Sequence, residues 1–214
     1  MKKSENSLAE KFLQVSAIKL QPEIPFVWGS GWNAPIYNDH RRILSYPQLR
    51  NLVKIELAKE IIERFPDAQV IAGASTSAIA IGALTADVIG MPFVYVRETP
   101  KDHGLENMIE GNLRPGQKVV ILEDLVTTAT NSVRAKDAIE MNGCEALGLV
   151  AIFSYEFPMA VKRLNDDDLQ MTSLIKYSDM LNAAVELDYI RPDDLATLQE
   201  WRKDPANWAP NVME

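Results

Sequence analysis

Apolar and polar positions fall in blocks along this chain, and the period of the alternation changes from block to block. Residues 5–18, ENSLAEKFLQVSAI, put Leu8, Phe12, Val15 and Ile18 on one helical face, with Ser4 or Ser7 as the cap. Residues 20–48 are dense in proline, glycine and aromatics and read as short strands and turns. Helical spacing returns over 47–64 through Leu49, Val53, Leu57 and Ile61. A different rhythm then begins. Apolar runs AQVIAGA, PFVYVRE, KVVILED, ALGLVAIFSY and QMTSLIKY predict five strands. Between them lie helical stretches over 75–90, 131–142 and 160–168, the first ending near Gly90 and the second at Asn142–Gly143. The tail, RPDDLATLQEWRKD, is a last amphipathic helix. Near-continuous apolar strands alternating with helices predict an α/β fold, a parallel sheet covered by helices on both faces. The expected organisation is one domain: a small N-terminal hood over about 1–45, an α/β core over 46–180 and a helical tail over 181–214.

Composition narrows the function. At 214 residues, 47% hydrophobic and 24% charged, the chain can bury a full core without staples. One cysteine, Cys144, excludes an intrachain disulfide and fits a reducing compartment, so a cytoplasmic location is expected. No apolar run reaches membrane-spanning length, and MKKSENSLAEKF has no apolar signal core. A net charge of −8 argues against a general nucleic-acid binder, so any anion site needs deliberate, local cations.

The most informative stretch is KVVILEDLVTTATNSV, residues 118–133, where a buried-type strand ends in Glu123 and Asp124. In open parallel sheets, ligands sit beyond the carboxyl ends of the strands. The loop that follows offers the hydroxyls of Thr127, Thr128, Thr130 and Ser132 and free amides at a helix start, a phosphate cradle. Carboxylates beside a phosphate seat suit a sugar phosphate, whose hydroxyls they accept from. A plain strand–loop–helix junction with a capping threonine and two solvated acids has the same local sequence. No G-x-x-x-x-G-K-[ST] and no strand-borne G-x-G-x-x-G is present.

VVILEDLVTTATNS resembles the phosphoribosyl-pyrophosphate (PRPP) signature of the type I phosphoribosyltransferases, with Ala129 and Thr130 where many members have glycine. RETPKDHG, followed by EG at 110–111, resembles the catalytic loop of the orotate phosphoribosyltransferases in particular, with Glu98 where some relatives carry a second cation. FVWGSGWNAPIYNDHR resembles the segment near that family's base pocket, with Ala34 for the usual serine and Gly29 where some carry lysine. Residues 74–77 resemble its pyrophosphate-side loop. Taken alone, Lys101 and His103 also read as part of a solvated loop, and Asp39, His40 and Arg41 as a turn closed by an ion pair. His40 and the tryptophans Trp28, Trp32, Trp201 and Trp208 read as packing or surface residues rather than cofactor ligands.

The resemblance implies transfer of a 5-phosphoribosyl group from PRPP to orotate, with Mg²⁺ held mainly by PRPP and water rather than by a protein metal site. It assigns Lys101, His103 and Asp124 to catalysis. It assigns Arg97, Lys101, His103, Glu123, Asp124, Leu125, Val126, Thr127, Thr128, Ala129, Thr130 and Asn131 to PRPP, and Ala74, Ser75, Thr76 and Ser77 to the pyrophosphate side. Thr127 is the orotate contact. It further implies a homodimer sharing the catalytic loop 98–111 between subunits. The arginine some relatives place after the fourth strand is absent from FSYEFP, residues 153–158. Two rivals stay open: a PRPP-dependent transferase for another base, and a PRPP-sensing regulator without catalysis.

Overall fold

The structure, a computed structural model, describes residues 8–99 and 108–209. The first helix, α1 (Leu8–Gln14), ends earlier than its periodicity predicts. Ser16 adopts a positive φ of 55°, which breaks the helix, and Ile18 is buried in strand β1 (Ile18–Leu20) instead of on the helix face. Ser4 and Ser7 lie outside the described residues. Three short strands follow: β2 (Phe26–Val27), β3 (Asn33–Ala34) and β4 (Ile36–Asn38). They form two small antiparallel sheets, β1 with β4 and β2 with β3. A 3-10 turn at His40–Ser45 leads into α2 (Pro47–Arg64), whose first residue is a proline with its φ already set for the helix. Leu49, Val53, Leu57 and Ile61 are buried along it, as their spacing predicts.

The core sheet then builds in sequence. Strand β5 (Val70–Ala74) leads to α3 (Ala78–Ile89), which Gly90 ends in the left-handed conformation, and then to β6 (Phe93–Val96). β7 (Ile109–Glu110) turns back antiparallel on β6, so the connection read as a loop to residue 111 ends in a strand. β8 (Lys118–Val126), α4 (Thr130–Met141), β9 (Glu145–Ser154), α5 (Pro158–Asp166) and β10 (Met171–Lys176) continue the alternation. α6 (Tyr177–Glu186) and α7 (Asp194–Lys203) close the chain; α6 is not foreseen by the sequence reading.

The six strands are ordered β10-β9-β8-β5-β6-β7, parallel except at the β7 edge. Chain progression runs one way from β5 to β6 and the opposite way from β8 to β9 and β10. Right-handed crossovers therefore send α3 and α4 to opposite faces. The packing agrees: α2 lies on α3, and α4 lies on α5. The order reverses between the neighbours β5 and β8, so the loops leaving their carboxyl ends splay apart over a crevice, the usual ligand position in such sheets. Two close approaches fix that crevice. The Phe93 ring packs over Gly73 and Gly82, where an added β-carbon would come within 3.0 Å and 2.8 Å of it, seating α3 tightly on β5.

Candidate active site

Strand alternation separates the two acids. β8 runs two residues further than expected, to Val126, so Glu123 and Asp124 both sit inside it and point to opposite faces. Glu123 is 5% exposed and faces Ser132 of α4. Burial pushes its carboxyl up to about 8, and the charge of Asp124 beside it acts in the same direction. The Ser132 hydroxyl opposes the shift only in part, and the two groups do not reach full hydrogen-bond geometry. Glu123 is thus mostly protonated at neutral pH. Ser132, counted among the loop hydroxyls from sequence, is fully buried on α4 and does not face the crevice.

Asp124 is half-buried on the opposite face, where His40, Arg41 and Tyr155 feel its charge. Its carboxylate has no hydrogen-bond partner among the described residues. Its main-chain carbonyl accepts from His40 Nδ1 at 2.9 Å. A carbonyl can only accept, so His40 carries its proton on Nδ1. The ring is buried edge-on between Phe12 and Phe153, and burial holds its pKa below the ordinary histidine value. His40 therefore packs as the sequence predicts, and it also ties the hood to the strand end that carries the acids. Asp39 and Arg41 form the anticipated pair at 2.7 Å.

The β8–α4 loop turns on Ala129, which adopts φ 58° and ψ 14°, a left-handed conformation that favours glycine. The amides of Thr130, Asn131 and Ser132 meet no acceptor among the described residues. Thr128 and Thr130 share a hydrogen bond of 2.9 Å between hydroxyls. Val126 is buried and Leu125 half-buried against the core, and the Val126 carbonyl is taken by the Tyr155 amide. Thr127 is half-buried immediately after the strand.

Across the crevice, Ala74 ends β5 and Ser75, Thr76 and Ser77 lead into α3, with a cis Ser75–Thr76 peptide bond. The Thr76 and Ser77 amides lack acceptors among the described residues, and the buried Ser75 hydroxyl has no partner there. Arg97 leaves β6 and pairs with Glu110 at 3.5 Å. Ala74, Ser75, Arg97, Asn131 and Arg134 line one small cleft, so the two phosphate-type loops and the β6 end do converge. Lys101 and His103 lie outside the described residues.

Two arginines here were missed from sequence. Arg134, on α4, donates to the Glu98 carbonyl at 2.9 Å. Arg163, on α5, donates to the Thr128 carbonyl at 2.6 Å and to Thr130 Oγ1. No local pattern marks either; Arg163 reaches a loop more than thirty residues earlier because β9 returns the chain beside β8.

No family model matches the chain. An orotate phosphoribosyltransferase of Bacteroides thetaiotaomicron is 52% identical over 208 residues, covering 97% of this chain and 98% of that protein. The structure of Leishmania donovani UMP synthase superposes with a TM-score of 0.75 at 26% identity, over 91% of this chain and 41% of that one, so this chain spans less than half of that protein. The orotate phosphoribosyltransferase of Aeropyrum pernix superposes with a TM-score of 0.74 at 22% identity, over 86% and 99% of the two chains, which bears on the fold alone.

Proposed function

The chain belongs to the orotate phosphoribosyltransferase family, and from that premise we infer its work: it transfers the 5-phosphoribosyl group of PRPP to orotate. A carbon–nitrogen bond to the orotate ring forms as the bond from ribose to diphosphate breaks, giving orotidine 5-phosphate and pyrophosphate, a step of pyrimidine biosynthesis. The near full-length identity to curated members carries this reading.

The geometry supports a division of labour. The loop 127–131 seats the 5-phosphate with its open amides and hydroxyls. Asp124, the half-buried acid on the crevice side, takes ribose hydroxyls and favours positive charge developing on the sugar. Glu123, buried against α4 on the other face of the strand, backs the sugar site rather than lining it. The loop 74–77 and Arg97 receive the diphosphate, joined by Lys101 and His103. Thr127 meets orotate. Mg²⁺ neutralises part of the diphosphate charge when bound. It would arrive with PRPP and water, and Asp124 offers a hard carboxylate oxygen on the protein side. The working unit is a homodimer that shares loop 98–111, and its place is the cytoplasm, in keeping with a single buried cysteine.

Orotate consumption followed optically tests the reaction. It should require both PRPP and Mg²⁺, and activity with another base but not with orotate would refute it. Lys101→Ala should lower turnover by about a hundredfold, the scale of losing one charge-stabilising group, with an unchanged melting temperature. Mixed Lys101→Ala and Asp124→Asn subunits should regain activity if the loop is shared, and demonstrated heterodimers without recovery would exclude sharing.

A further inference from the structure

We propose that Arg163, on α5, is a positioning residue of the 5-phosphate seat and supplies its fixed positive charge. The inference rests on the reading of loop 127–131 as that seat, and adds to it a residue from a different helix. Three observations carry it. First, Arg163 holds the loop through two oxygens, the Thr128 carbonyl and Thr130 Oγ1, on either side of left-handed Ala129. Second, both partners are neutral. Arg163 pairs with no carboxylate among the described residues, although the chain carries 30 acids against 22 lysines and arginines. The neighbouring Lys162 is tied to Asp166, and Lys136 of α4 to Glu140. Third, Nε and Nη2 of Arg163 meet no acceptor among the described residues, leaving part of a planar donor fork unused.

These contacts favour an anion. A carbonyl at the loop would repel a phosphate, and Arg163 occupies that of Thr128. Arg163 also donates into Thr130 Oγ1, and one threonine hydroxyl donates to the other. Whichever donates, one hydroxyl proton remains for an outside acceptor. The guanidinium charge stays uncompensated beside the open amides of Thr130 and Asn131, and its geometry matches a phosphate monoester.

The test is binding of ribose 5-phosphate to the full chain by calorimetry, together with PRPP kinetics. Arg163→Gln should weaken ribose 5-phosphate about tenfold to a hundredfold, the range for losing a charge-assisted hydrogen bond, and raise KM for PRPP similarly, with kcat within about threefold. Arg163→Lys, which keeps the charge, should recover much of the loss and serves as the readout if the glutamine variant does not fold. Lys162→Gln, the same change of net charge one residue away, should bind as the parent does. Parental binding in Arg163→Gln overturns the inference. So does a fall in kcat at constant KM, or a lysine variant no better than glutamine. A parent that turns over PRPP yet does not bind ribose 5-phosphate overturns the loop reading itself.

Discussion

At the scale of single residues, Glu123 shows how a strand gives adjacent identical chemistry two different environments. One position apart, Asp124 meets the crevice and Glu123 meets α4. Between the usual carboxyl range and about 8, the unfolded chain releases the Glu123 proton while the folded chain keeps it. The unfolded state therefore binds fewer protons, and the Glu123 contribution makes stability fall as pH rises through that window, levelling off above it. Glu123→Gln removes the titration and keeps the shape. Its melting temperature should decline less than that of the parent between pH 5 and pH 9, by about 2–4 °C for each kcal/mol of the difference. Parallel melting curves across that range would show that Glu123 ionises freely in the folded protein. The burial was not legible in sequence, because EDLV reads as a strand ending at its acids; only the pairing of Leu125 with Phe153 and Val126 with Ser154 extends the strand past them.

At the scale of elements, legibility followed the regularity of the apolar pattern. α2 was readable end to end because four buried residues recur at helical spacing behind a proline. α6 was not, because Tyr177 and its neighbours continue the letters of β10 with no glycine or proline between them. β7 escaped because two residues cannot display a period. The crevice loops were legible as motifs, whereas their braces, His40 and Arg163, depend on tertiary neighbours. β9 carries a further feature of this kind. The β8–β9 register shifts so that Val119 faces Ala146 and Val120 faces Gly148, leaving Leu147 as the extra residue. A β-carbon at Gly148 would lie 2.4 Å from the Phe65 ring and 3.0 Å from the Gln170 carbonyl. Gly148→Ala should cost about 1–3 kcal/mol by overpacking, measured by denaturant unfolding. Adding Phe65→Leu should return part of the loss, and strict additivity in that cycle would mean the ring is not the obstacle.

At the scale of the whole molecule, hood, sheet and tail meet in one aromatic cluster. Trp28 of the hood, Tyr155 and Phe157 beyond β9, Tyr177 of α6 and Trp201 of α7 lie with ring centres 5.1–6.4 Å apart. The indoles also bond across the seams, Trp201 to the Asn33 carbonyl at 3.1 Å and Trp28 to that of Ile36 at 3.0 Å. Trp201→Ala should cost about 3–5 kcal/mol, as large aromatic truncations do, and depress the melting temperature by more than about 6 °C. A drop below about 2 °C would mean that other contacts hold the tail. Trp28 also stacks on Trp32, so three of the four tryptophans in the chain stand along this one junction. The protein thereby contains its own optical gauge: ultraviolet emission, read without any attached dye, reports the fit between its opening segment and its closing helix.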